Sequence, residues 1–137
     1  MKKAILGMAL LAFTACNVQQ ENPLMTESAL PYGAPEFSKY ESTHYEAAFL
    51  EAFKQQKAEI DLIVSNTEAP TFDNTIGALE RSGRLLSKVV GVFFNLNETD
   101  ADEVMKETER NITPLMTEHN AYMTMNEQLF ARVKAIY

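Results

Sequence analysis

The side chains best suited to chemistry in this sequence are one cysteine, Cys16, and two histidines, His44 and His119. A zinc pair requires two imidazoles on one helical face, as H-E-x-x-H supplies at i and i+4. His44 and His119 lie 75 positions apart and neither sits in such a pattern. Each reads as a surface or packing histidine. No Gly-rich phosphate loop is present, and no serine has the context of a nucleophile elbow. Glu107, Glu109 and Arg110 read as a solvated helix face. Met105, Met116, Met123 and Met125 read as core filling rather than an adaptable binding surface. The sequence therefore offers no catalytic residue, no metal-ligand set and no cofactor-binding constellation.

Cys16 has a clearer context. Met1-Lys2-Lys3 is a short positive region, and Ala4 to Phe13 is apolar. That run is too short to span a bilayer, which takes about 20 apolar residues. With Ala15 directly before the cysteine, the layout is that of a secretory signal over residues 1–15. A lone cysteine after the cleavage point resembles a bacterial lipobox, so Cys16 is the expected lipidation site. Phe13 stands where leucine is usual. Two or more acyl chains would hold the protein stably at a membrane, at about 0.8 kcal/mol per buried CH₂. The expected location is the bacterial cell envelope, facing the periplasm.

With one cysteine no internal disulfide can form, and the packed core must hold the fold. The chain carries 12 basic and 19 acidic residues, a net charge of −7. Loss of residues 1–15 removes Lys2 and Lys3, which leaves a charge of −9. Nucleic acid is excluded as a partner on that balance, because phosphate binding needs a basic surface.

Five glycines and five prolines are too few for many short strands joined by turns. Residues 16–36 read as a polar tether and an extended entry that continues through Pro35 to Tyr40. A helix should start at a capping box formed by Thr43 and Glu46. Its apolar stripe is Tyr45, Ala48, Phe49, Ala52, Phe53, Ile60 and Ile63. Asn66 to Pro70 breaks the run. A second helix is expected along the seam Phe72, Ile76, Leu79, Gly83, Leu86, Val90 and Phe93, which keeps a spacing of four and three. Gly83 costs about 1 kcal/mol inside a helix, which a close neighbouring helix would offset. Leu85, Val89, Val92 and Phe94 form a second strip. After a polar break over Asn95 to Asp100, a third helix starts near Asp100 or Ala101. Pro114 should kink or split it. A fourth opens near Asn126 with Leu129, Phe130, Val133, Ile136 and Tyr137. This is an all-α chain of antiparallel hairpins or a bundle. Tyr137 falls on an apolar stripe without a cap or polar tail, so residues 37–137 read as a helical region truncated at its C-terminal end.

Two stretches carry a family resemblance. One runs from Pro35-Glu36-Phe37-Ser38-Lys39-Tyr40 through His44-Tyr45-Glu46-Ala47-Ala48-Phe49 to Gln56-Lys57-Ala58-Glu59-Ile60. The other runs from Pro70-Thr71-Phe72-Asp73-Asn74-Thr75-Ile76 through Ser82-Gly83-Arg84-Leu85-Leu86 to Phe93-Phe94-Asn95-Leu96. Together with Leu129-Phe130-Ala131-Arg132-Val133-Lys134, they resemble the N-terminal region of the thimet oligopeptidase family of zinc metallopeptidases, in its peptidyl-dipeptidase (Dcp) branch. The resemblance implies an elongated, almost wholly helical parent whose channel admits short peptides and releases C-terminal dipeptides. It implies that these helices form part of the channel wall. Zinc would be bound by an HExxH helix and a downstream Glu in a C-terminal catalytic region, and the HExxH Glu would activate the attacking water. None of those positions lies in this chain, which alone is expected to be inactive. The competing reading is a complete small helical lipoprotein that acts as a binding or scaffold module.

Overall fold

Every regular element among residues 21–137, which the computed structural model describes, is helical. The expected all-α class is borne out. Five α-helices follow in order: α1 (Tyr45–Ser65), α2 (Ala78–Arg81), α3 (Arg84–Asp100), α4 (Glu103–Thr124) and α5 (Glu127–Lys134). Cys16 and the rest of the expected signal segment lie outside the described residues.

The cap of α1 differs from the expected Thr43–Glu46 box. A 3₁₀ turn, Ser42–His44, precedes α1, and Glu41 caps that turn. Glu41 N–H donates to His44 Nδ1 at 3.0 Å. An imidazole thus replaces the Glu of the usual box, two residues early. The stretch Pro35 to Tyr40, expected to be extended, contains another 3₁₀ turn at Phe37–Lys39. The α1 stripe buries Tyr45, Ala48, Phe49, Ala52, Ile60 and Ile63, and also Gln56.

The expected continuous second helix is two pieces. The first is wound as a π-helix over Phe72–Gly77 and passes directly into α2. It then stops at Gly83, whose φ of 67° is left-handed, a conformation glycine adopts at no steric cost. The joint resets the helical phase, so residues before and after Gly83 no longer share one face. Phe72 is accordingly exposed, while Val89, Val92 and Phe93 are buried. The core face of α3 follows the second strip more than the seam. The α3 helix also runs through the expected polar break to Asp100.

Only Ala101 and Asp102 separate α3 from α4. Asp102 is the N-cap of α4, its Oδ1 accepting from Met105 N–H at 2.8 Å. Pro114 does not split α4. It is exposed on the helix surface, where solvent can reach the carbonyl that proline leaves without a donor. Asn126 caps α5 by accepting from Leu129 N–H at 2.9 Å. Among the described residues, no helix is long and apolar enough to cross a membrane.

Packing centres on α1, which touches α3, α4 and α5. Tyr45 and Phe49 meet Phe93 edge-on at 5.2 and 5.3 Å between centroids, while further along α1 Glu59 meets Gly83. The α3 helix therefore runs antiparallel to α1. Contacts of α4 climb with α1, from Glu46–Asn111 to Gln56–His119 to Asp61–Tyr122, so these two run parallel. The main core joins Leu24, Tyr45, Phe49, Val89, Phe93, Met105 and Ile112. A second cluster holds Ile60, Ile63 and Leu129. Leu24, which precedes all five helices, is fully buried in the main core.

Candidate functional site

Gln56 occupies an α1 stripe position between Ala52 and Ile60, where an apolar side chain would leave His119 Nε2 without its partner. The Ser82 hydroxyl donates to Leu79 O at 2.7 Å, so its lone pairs face Gln56 Nε2 at 3.5 Å. That orientation turns Gln56 Oε1 towards His119 Nε2, 2.7 Å away. An amide oxygen only accepts, so His119 Nε2 carries the proton and Nδ1 is the free acceptor. His119 is buried and its ring packs 5.2 Å from Phe53. Burial, and secondarily the ammonium of Lys57, hold its pKa below the ordinary histidine range.

His119 and Glu118 line the α4 side of a cleft of about 270 Å³ between α1 and α4. Leu50, Phe53 and Leu115 supply its apolar sides, and Lys54 and Lys57 stand at its edge. Lys57 Nζ also lies 3.7 Å above the Tyr122 ring, a cation–π contact. The Tyr122 hydroxyl donates to Asp61, which raises its pKa.

A second polar hub sits where α1, the Phe72 turn and α5 meet. Arg132 is buried. It donates to Asn66 O at 2.7 Å, to Glu68 O at 3.4 Å and to Asn74 Oδ1 at 3.2 Å. Asn74 Oδ1 also accepts from Thr71 N–H at 2.8 Å, and its Nδ2 donates to Ala69 O at 3.0 Å. In return Thr71 Oγ1 accepts from Asn74 N–H at 3.1 Å, a reciprocal cap. One guanidinium thus ties the end of α1 to the start of the next helix.

His44 sits in the turn before α1, and His119 packs against α1 part-way along the α1–α4 contact. Among the described residues, no group of three His, Cys, Asp or Glu side chains could hold a metal ion. The residues present therefore do not fit the zinc that the family resemblance implies, and no catalytic step is assigned to them. Gln56 and Arg132 were missed at the sequence level. The available signal was a polar residue at a core-phase position of each helix.

The Arg132–Asn74 hub gives a structural reason for the motif Pro70-Thr71-Phe72-Asp73-Asn74-Thr75. Over 116 residues, 85% of this chain, the sequence is 38% identical to proteins named dipeptidyl carboxypeptidase from Salmonella typhimurium and Escherichia coli. Over those residues this chain is similar to the dipeptidyl carboxypeptidases. The expected resemblance is borne out at that level. The match spans 17% of the length of each relative. No protein-family model matches the chain.

Proposed function

We propose that these helices are the N-terminal, non-catalytic part of a zinc peptidase that removes dipeptides from the C-termini of short peptides. The observation that carries this reading is the 38% identity to dipeptidyl carboxypeptidases over most of this chain but only 17% of theirs. On this reading the helices contribute to the wall of a peptide channel, the metal belongs to a C-terminal catalytic region, and this chain alone is inactive. The secretory layout before Cys16 supports a lipid anchor at that thiol and a place in the cell envelope, facing the periplasm.

The test is to read the coding frame beyond Tyr137 and express its product. Release of dipeptides from a blocked tetrapeptide, lost on chelation and restored by zinc, is expected of a product that contains HExxH. A stop codon directly after Tyr137 would overturn the proposal in favour of a small helical lipoprotein. Metabolic labelling with a radioactive fatty acid tests the anchor separately: label should follow the wild type and vanish in Cys16→Ser.

A further inference from the structure

Leu30, Pro31 and Tyr32 stand at the tip of a small loop ahead of α1. Residues 28–35 carry no charge, between Glu27 and Glu36. The Ser28 hydroxyl donates to Ala34 O at 2.6 Å and accepts from Leu30 N–H at 3.1 Å. Gly33 N–H donates to Leu30 O, and Ala34 N–H to Pro31 O. These bonds close the loop on itself. Both of its feet are fixed to the helices. Leu24 is buried in the main core, and Lys88 Nζ donates to Thr26 O at 2.7 Å. On the other side Glu36 N–H donates at 3.1 Å to the hydroxyl of Tyr40, which packs on that core.

Within this frame Tyr32 has a φ of 61°, a left-handed conformation that is unusual for a bulky residue. Its ring is fully exposed, and Leu30 beside it is exposed too. Phe37, by contrast, meets Tyr40 edge-on at 6.2 Å. A strained backbone that holds a ring out in solvent suits a contact made beyond these residues. Two facts favour one occupant for that contact. A 116-residue match in a chain of 137 leaves 21 residues outside it, so the stretch similar to the dipeptidyl carboxypeptidases includes the whole loop. More than four-fifths of each relative lies beyond that match. A loop shared with chains of that length points to a surface on the rest of the chain, not to the lipid that Cys16 would bring near.

We propose that the loop 28–34 is a docking peg, with Tyr32 and Leu30 seated in an apolar hollow on the downstream part of the parent chain. The proposal rests on the reading of this chain as part of a longer peptidase. A tip without charge can be buried without an ion to desolvate. A loop already closed by its own bonds has little conformational freedom left to lose on docking.

The experiment compares the 137-residue chain with the full product of its coding frame. Chymotrypsin cuts after exposed aromatic residues, and loop tips are preferred places for a nick. Mass spectrometry should find rapid cleavage between Tyr32 and Gly33 in the 137-residue chain, and cleavage roughly tenfold or more slower in the full product. Tyr32→Ser should leave the melting temperature of the 137-residue chain unchanged, since the ring is in solvent there. It should lower that of the full product by about 2–4 °C. Equal cleavage rates in the two proteins would overturn the proposal, as would a full product indifferent to Tyr32→Ser. Protection of the 137-residue chain that grows with its own concentration would overturn it in favour of a second copy. Protection that appears only with phosphatidylethanolamine–phosphatidylglycerol vesicles would overturn it in favour of a lipid surface. A stop codon directly after Tyr137 would sink the longer-peptidase reading as well, whereas the other adverse results leave that reading standing.

Discussion

His119 Nε2 donates to Gln56 Oε1 across 2.7 Å, and this bond joins α4 to the joint between α2 and α3. Gln56 reaches Ser82 with its amide nitrogen and lies against Gly83. A change of charge on His119 is therefore felt by three helices.

The first prediction concerns pH. The folded pKa of His119 is depressed below its unfolded value, mainly by burial and then by Lys57. The unfolded chain then binds more protons between the two pKa values, and stability rises with pH across that window. This contribution is complete above the unfolded histidine value, near 6.5. It declines as pH falls from there towards the folded value. Urea midpoints measured from about pH 7.5 down to about pH 5 should drop over this range. The drop should be smaller in His119→Gln, which keeps a donor for Gln56 but cannot take up the proton.

Gly83→Ala should destabilise the fold. The position has φ 67°, and an added Cβ would overlap the Gln56 side-chain amide. Left-handed strain alone is worth about 1–3 kcal/mol. In the double variant Gln56→Ala/Gly83→Ala the overlap is gone and the strain remains. Its chemical denaturation should show less loss than the sum of the single variants.

Arg132 has a larger role than its surface-like residue type suggests. Arg132→Met removes a buried guanidinium and strands Asn66 O, a loss of about 2–3 kcal/mol for charge-assisted hydrogen bonds. Arg132→Lys should not restore it, because one ammonium cannot reproduce the fork that spans Asn66 O and Asn74 Oδ1. Thermal melts of the two variants should lie close together and well below that of the wild type.

Leu24 tests whether the segment before α1 belongs to the fold. It is fully buried against α1 and α3, and Leu24→Ala should cost about 2–5 kcal/mol. Leu30→Ala, at a 44% exposed side chain, should stay within about 0.5 kcal/mol of the wild type. A pair of denaturation curves decides it.

Much of this architecture is legible in the spacing of apolar residues. The α1 stripe from Tyr45 to Ile63 is read correctly because helical period and burial coincide there. Asn126 is recognised as a cap for the same local reason. Gly83 was misread because a run of fours and threes across it looks unbroken, and periodicity carries no information on the sign of φ. The roles of Gln56 and Arg132 depend on partners tens of residues away, which no local pattern contains. Glu41 and His44 cap the turn before α1 instead of Thr43 and Glu46, since an imidazole nitrogen two residues earlier can accept the same kind of bond. The cleft is invisible in the sequence for a related reason. Its walls come from two helices whose contacts are separated by more than 60 positions.

The parallel run of α1 and α4 has a consequence for the order of folding. Gln56 meets Ser82 across 26 positions but meets His119 only across 63. Closing the longer loop costs more chain entropy and yields nothing until both helices exist. The antiparallel pair α1 and α3 is the nucleus that these loop lengths favour, and it can close before α4 docks. Until then the face of α1 that receives His119 stays open, and Phe53 lacks the ring that packs against it in the finished fold.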